Sequence, residues 1–131
     1  VLAALAAAVA WYLSRRRGAA PVGTTSWHVP AQLTRTDFEH PETPWLVALF
    51  GSSTCEACQA VWERTELLAC PDVAVQRLDA SSQAKLHQRY RIDAVPLVVI
   101  ADRNGVVRRH FLGPVSAADL WSAVAELRQP S

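Results

Sequence analysis

Trp45-Leu46-Val47-Ala48-Leu49-Phe50-Gly51-Ser52-Ser53-Thr54-Cys55-Glu56-Ala57-Cys58 is the stretch on which the fold turns. The apolar run Trp45–Phe50 has the continuous pattern of a strand buried on both faces of a sheet. The two cysteines follow it and open a helical pattern. A strand that delivers Cys-x-x-Cys to a helix N-terminus is the layout of a dithiol redox site. Free N–H groups and the positive end of the helix dipole stabilise a thiolate, which is the nucleophile. The i, i+3 spacing puts both sulfurs on one helix face, within reach of a small disulfide ring.

Zinc is the competing use of such a pair. It usually takes four ligands, often from two such pairs. The chain has one further cysteine, Cys70, and its histidines (His28, His40, His87 and His110) have no ligand-like spacing. The expectation is therefore redox chemistry, with no metal and no cofactor.

Downstream, Cys58, Val61, Trp62, Thr65, Leu68 and Ala69 form one helical stripe, and Gln59, Glu63, Arg64 and Glu66 fill the other face. Cys58 begins the buried stripe while Cys55 sits at the helix mouth. The reading makes Cys55 the attacking thiol and Cys58 the shielded resolving thiol. Cys70-Pro71-Asp72 ends the helix. Val73–Leu78 reads as a second strand, and Ser81 as the cap of a short helix with Leu86 and Tyr90 on one face. Val95–Ala101 is a third strand with a proline near its start. Asp102-Arg103-Asn104-Gly105 is a hairpin turn leading into Val106–Leu112. Ser116-Ala117-Ala118-Asp119 is a capping box for a last helix expected to bury Leu120, Trp121, Val124 and Leu127.

Upstream, Trp27-His28-Val29 reads as a short strand and Thr36–Glu39 as a helical turn stopped by Pro41 and Pro44. The order β-α-β-α-β-β-α predicts an α/β fold with a central mixed sheet and helices on both faces.

The chain of 131 residues divides into 1–17, 18–26 and 27–131. Val1–Leu13 is almost wholly apolar and ends in Trp11-Tyr12-Leu13, ahead of Arg15-Arg16-Arg17. It is shorter than the ~20 residues of a spanning helix. The expectation is a partial transmembrane helix with interfacial aromatics and a basic stop, a signal peptide being the rival. Residues 18–26 read as a linker. By the positive-inside rule the domain faces the cytoplasm of a single-pass membrane protein; the alternative is extracytoplasmic. A net charge of +1 gives no argument for nucleic-acid binding, and the dispersed tryptophans do not interleave with basic residues.

Over residues 27–128 these features resemble the thioredoxin-fold family. The matching features are strand, Cys55-x-x-Cys58 and helix, then Val95-Pro96 before a strand, then the Asn104-Gly105 hairpin, then Gly113 before a capped helix. The resemblance implies a cis Pro96 lying against the dithiol. It also implies a substrate groove bordered by Thr54, Glu56, Ala57, Val95 and Pro96. The stretch from Leu33-Thr34-Arg35 through Trp45-Leu46-Val47, with its preceding anchor, is similar to membrane-tethered thioredoxin-like proteins of actinobacteria.

Thioredoxin itself reads Trp-Cys-Gly-Pro-Cys. Here Thr54 lacks the docking aromatic, and Glu56 places a charge that should raise the pKa of Cys55. A less stabilised thiolate makes the disulfide easier to hold, which points to a reductant. Leu49 occupies the place of the family's buried proton-relay Asp, and Arg77 that of its partner Lys. The resemblance therefore implies a membrane-tethered thiol–disulfide oxidoreductase, monomeric, acting on a membrane-proximal protein disulfide or dithiol. An adaptor module with a regulatory or vestigial dithiol is the alternative.

Overall fold

The computed structural model describes residues 2–18 and 27–129. The expected linker lies outside the described residues except for Gly18, which ends helix α1 (Leu2–Gly18). At 1.5 Å per residue, the 17 residues of α1 extend about 25 Å, less than a ~30 Å hydrocarbon core. Among the described residues, no helix is long and apolar enough to cross a membrane. Leu5, Val9, Trp11 and Tyr12 are exposed on α1.

The remaining elements are β1 (Trp45–Gly51), α2 (Glu56–Thr65), β2 (Val73–Asp79), α3 (Ala84–Arg89), β3 (Leu97–Ala101), β4 (Val107–Leu112) and α4 (Ala117–Arg128). A short 3-10 helix over Arg35–Asp37 precedes β1, and another over Glu66–Leu68 completes α2. The sheet order is β2-β1-β3-β4. β1 runs parallel to β2 and antiparallel to β3, and β3 is antiparallel to β4. This is the expected mixed sheet.

Alternation along the central strands feeds two cores. Val47 and Leu49 face the α2 and α4 side, packed with Val61, Leu68, Leu120 and Val124. Leu46, Ala48 and Phe50 face the other side, with Phe38, Leu78, Tyr90 and Leu97. Phe50 meets Phe38 edge-on at 6.5 Å and the His87 ring at 5.4 Å. His87 is buried, with Nε2 2.8 Å from the Leu78 carbonyl.

The hairpin turn forms as expected. The Asp102 side chain accepts from the N–H groups of Asn104 and Val106, and Gly105 adopts φ +82°. Ser116 caps α4 by accepting from Asp119 N–H at 3.1 Å.

Several expectations are corrected. Residues 27–29 form no strand; the chain instead meets the hairpin through a single bridge, Gln32 to Val106. Ser81 does not cap α3: the helix begins at Ala84 and the cap position falls to Gln83, while the Ser81 N–H and hydroxyl donate to Asp79. The last turn of α2 tightens to 3-10 and leaves Ala69 exposed. Trp121 is half exposed, because Leu120, Ala123 and Val124 fill the buried face of α4.

Arg35 is a buried cation that ties the loop before β1 to the hairpin. Its guanidinium donates to the carbonyls of Thr43, Asp102 and His40 and to Thr43 Oγ1, over 2.7–3.0 Å. Burial lowers its pKa, which the charges of Glu42 and Asp102 oppose. The long Arg side chain supplies enough donors to satisfy several carbonyls at once.

Candidate redox site

β1 ends at Gly51, and Ser52–Thr54 turn the chain into α2. Ser52 organises the turn. Its carbonyl accepts from Cys55 N–H at 3.2 Å and its hydroxyl from Thr54 N–H at 3.3 Å. Cys55 occupies the N-cap of α2, and its sulfur accepts from Cys58 N–H at 3.2 Å. The residue therefore does for the helix what a capping hydroxyl usually does. When the sulfur carries a charge, the same N–H and the helix dipole favour it.

Cys55 and Cys58 are joined as a disulfide, with Cα atoms 5.3 Å apart. Cys58 is fully buried and Cys55 half-buried. Gly51 makes room for the inner sulfur. A Cβ built on it would lie 3.3 Å from both Cβ and Sγ of Cys58, tighter than ordinary contact. The sequence reading did not single out Gly51. The available signal was a glycine ending an apolar strand four residues before the first cysteine.

Of the other expected site residues, Thr54 and Glu56 are exposed and Ala57 is half-buried around the mouth of α2. The Val95–Pro96 bond is cis. Phe50 pairs with Leu97 in the antiparallel β1–β3 ladder, so Pro96 falls at the end of the sheet where Gly51 leads into the motif. Pro96 is buried and its carbonyl accepts from Gly113 N–H at 2.8 Å; Val95 is half-buried beside it. The fold thus brings both segments of the expected groove to one end of the sheet.

Leu49 is fully buried and pairs in register with Arg77. No carboxylate stands on β1 beneath Cys58. Arg77 donates to Gln59 Oε1 at 3.0 Å and lies 6.0 Å from the Trp62 ring centroid. Cys70 is a free, exposed thiol at the far end of the helical segment. It lies fifteen residues from Cys55, about 20 Å by helical rise. Among the described residues, no group of three or more metal-ligating side chains occurs.

The fold is the thioredoxin fold, carrying a disulfide-linked Cys-x-x-Cys at the N-terminus of its second helix. The chain is similar to several solved thioredoxins. A point mutant of the Halobacterium salinarum thioredoxin superimposes with TM-score 0.65 at 22% identity, over 83% of this chain and 99% of that one. The Fasciola hepatica thioredoxin gives 0.57 at 20% identity, over 66% and 83%. A reduced Schistosoma mansoni thioredoxin pre-protein gives 0.55 at 18%, over 65% and 80%. No family model matches the chain, and no curated protein sequence matches it.

Proposed function

We infer that the chain is a thiol–disulfide oxidoreductase. The observation that carries this is the Cys55–Cys58 disulfide on the helix N-terminus of a thioredoxin fold, with Cys55 half-buried and Cys58 fully buried. Cys55 attacks a disulfide in a partner protein and a mixed disulfide forms. Cys58 then attacks Cys55, closing the intramolecular bond and releasing the partner as a thiol. Thr54, Glu56, Ala57, Val95 and Pro96 border the bound segment. The charge of Glu56 beside Cys55 disfavours its thiolate and supports a reductant.

Attachment to a membrane through α1 belongs to the same reading. It is supported by the exposed Leu5, Val9, Trp11 and Tyr12 and by the Arg15-Arg16-Arg17 run that follows in sequence. Those arginines favour a cytoplasmic domain and a membrane-proximal partner. The similarity to membrane-tethered proteins of actinobacteria supports this part and rests on sequence resemblance. Fractionation of cells expressing the chain tests it: the protein partitions with membranes, and removing residues 1–17 releases it.

Buried Leu49, where the family keeps a proton-relay carboxylate, favours a second reading as an adaptor. The test separates the two. Cys58→Ser should accumulate mixed disulfides in cells, and Cys55→Ser should not. Binding that persists in Cys55→Ala, with no trapped disulfide in Cys58→Ser, identifies the adaptor.

A further inference from the structure

The sheet has two edge strands, β2 and β4, and they are built differently. β4 is guarded. Ile100 pairs with Arg109 and Ala101 with Val107, so Arg108 is an extra residue that forms a bulge. Arg108, Arg109 and His110 are exposed along the strand. Residues 31–33 cover its turn end, through Val107 N–H to the Ala31 carbonyl and the Gln32–Val106 bridge. Such devices keep an edge from pairing with another chain. β2 lacks them. It holds an unbroken register from Trp45–Val73 to Gly51–Asp79 and contains no proline. Its cation, Arg77, is drawn onto α2 by Gln59 at 3.0 Å and the Trp62 ring at 6.0 Å.

The β1–β2 ladder is flanked by Trp45 N–H donating to the Asp72 carbonyl at 3.0 Å and by Ala80 N–H donating to the Gly51 carbonyl at 2.9 Å. A ladder engages every second residue of a strand. Ala74, Gln76 and Leu78 therefore turn their backbone groups to β1, and Val73, Val75, Arg77 and Asp79 turn theirs outward. Both groups of Val73 are engaged with Cys70, and the Asp79 carbonyl accepts from Gln83 N–H at 2.8 Å. The N–H and carbonyl of Val75 and of Arg77 have no partner among the described residues. Val75, Gln76 and Arg77 are only half-buried, so this stretch of edge is accessible.

We propose that a second copy of the chain covers this edge, two β2 strands pairing antiparallel about a two-fold axis at Gln76. Two four-stranded sheets then become one, a departure from the monomer that the family resemblance implies. The chain itself is the occupant because the open groups are self-complementary. With Val75 opposite Arg77 of the second copy, and Arg77 opposite its Val75, each residue exchanges both of its bonds. The other registers fail. Arg77 opposite Arg77 sets like charges face to face. Val75 opposite Val75 sends Arg77 to Val73, whose groups Cys70 already holds. Arg77 opposite Asp79 sends Val75 to Ser81, beyond the end of β2. β2 and β3 flank β1 on opposite sides, and Pro96 leads into β3, so the groove at the dithiol stays open in the dimer. The interface is independent of the redox reading.

The test is sedimentation and amide hydrogen exchange of the full-length oxidised chain in density-matched detergent micelles, over a dilution series. The chain should sediment as a dimer at the concentrated end. There the Val75 and Arg77 amides should exchange at least about tenfold slower than at the dilute end, while the Gln76 amide, bonded to β1, changes little. V75P removes an outward N–H and no bond to β1, so it should keep the fold and abolish the dimer. If V75P does not fold, V75K should abolish the dimer in its place, since it sets a like charge against Arg77 of the second copy. Fast exchange of both amides at every concentration overturns the proposal. Protection unchanged by dilution also overturns it, because another segment of the same chain then covers the edge. A dimer that survives the folded edge variant overturns it as well, because the contact then lies elsewhere, as through α1.

Discussion

Gly51→Ala tests how the inner sulfur is seated. The added methyl would lie 3.3 Å from both Cβ and Sγ of Cys58, so each must yield by a few tenths of an ångström. Overpacking of a tight core site costs about 1–3 kcal/mol. In the oxidised chain the Cys58 sulfur is tied to Cys55 and cannot swing aside, so both contacts persist. In the reduced chain the thiol rotates about its Cα–Cβ bond and relieves the sulfur contact, leaving the Cβ contact. The oxidised form should therefore lose about 1.5–2 kcal/mol and the reduced form about half of that. A difference of ~0.7–1 kcal/mol between the two forms raises the reduction potential by about 15–20 mV. Urea unfolding of each redox form and equilibration in thiol buffers measure the two sides of this cycle independently. Equal destabilisation of both forms with an unchanged potential would refute the reasoning, as would a potential that falls.

The remaining predictions concern the frame around the site. Gly105→Ala should lower the urea midpoint by the equivalent of ~3 kcal/mol or more, combining left-handed backbone strain with a collision. Its Cβ would sit 2.0 Å from the Leu33 carbonyl oxygen at φ +82°. Arg35→Met should cost about 2–4 kcal/mol in chemical denaturation, since it strands the Thr43, His40 and Asp102 carbonyls. Burial first, and then the hydrogen bond to Asp37, raise the pKa of Tyr90 above that of an ordinary phenol. That stabilisation is complete below the unfolded phenol pKa of about 10 and is lost as pH rises through the folded value. Unfolding free energy should therefore fall more steeply with alkaline pH in the native chain than in Tyr90→Phe. Native oxidised protein should take up a single equivalent of a thiol reagent, at Cys70; a second equivalent would mean that the Cys55–Cys58 bond is open.

Local patterns carried much of this fold. The apolar run into Cys55-x-x-Cys58, the Asn104-Gly105 turn and the Ser116 cap each depend on neighbours a few residues away, and each forms as read. What sequence spacing could not supply were choices made by distant partners. Trp27–Val29 has strand composition, yet the ladder contact falls at Gln32, which also donates to the Leu33 and Asn104 carbonyls. Ser81 looked like a helix cap, but its N–H and hydroxyl turn back to the Asp79 carboxylate and α3 takes its N-cap two residues on, at Gln83. Trp121 belongs to an apolar helix face, yet Leu120, Ala123 and Val124 already fill the core side. Trp121 instead lines a cleft of about 230 Å³ shared with Leu68 and Cys70. Arg35 is invisible as a core residue because one of its acceptors, the Asp102 carbonyl, lies 67 residues along the chain.

At the site, sequence order located the dithiol, and the family resemblance implied the cis proline. The register added what spacing could not, namely that Gly51 seats Cys58 and that Arg77 stands opposite Leu49.

The most direct test of the central claim is the redox equilibrium of Cys55 and Cys58 in defined thiol buffers, read by mass-resolved alkylation. The account predicts one two-electron transition confined to this pair, at a reductant's potential near roughly −270 mV. A potential near roughly −120 mV, typical of strong oxidants, would contradict the reductant assignment. Failure of the pair to form a disulfide at any buffer ratio would contradict the exchange mechanism itself.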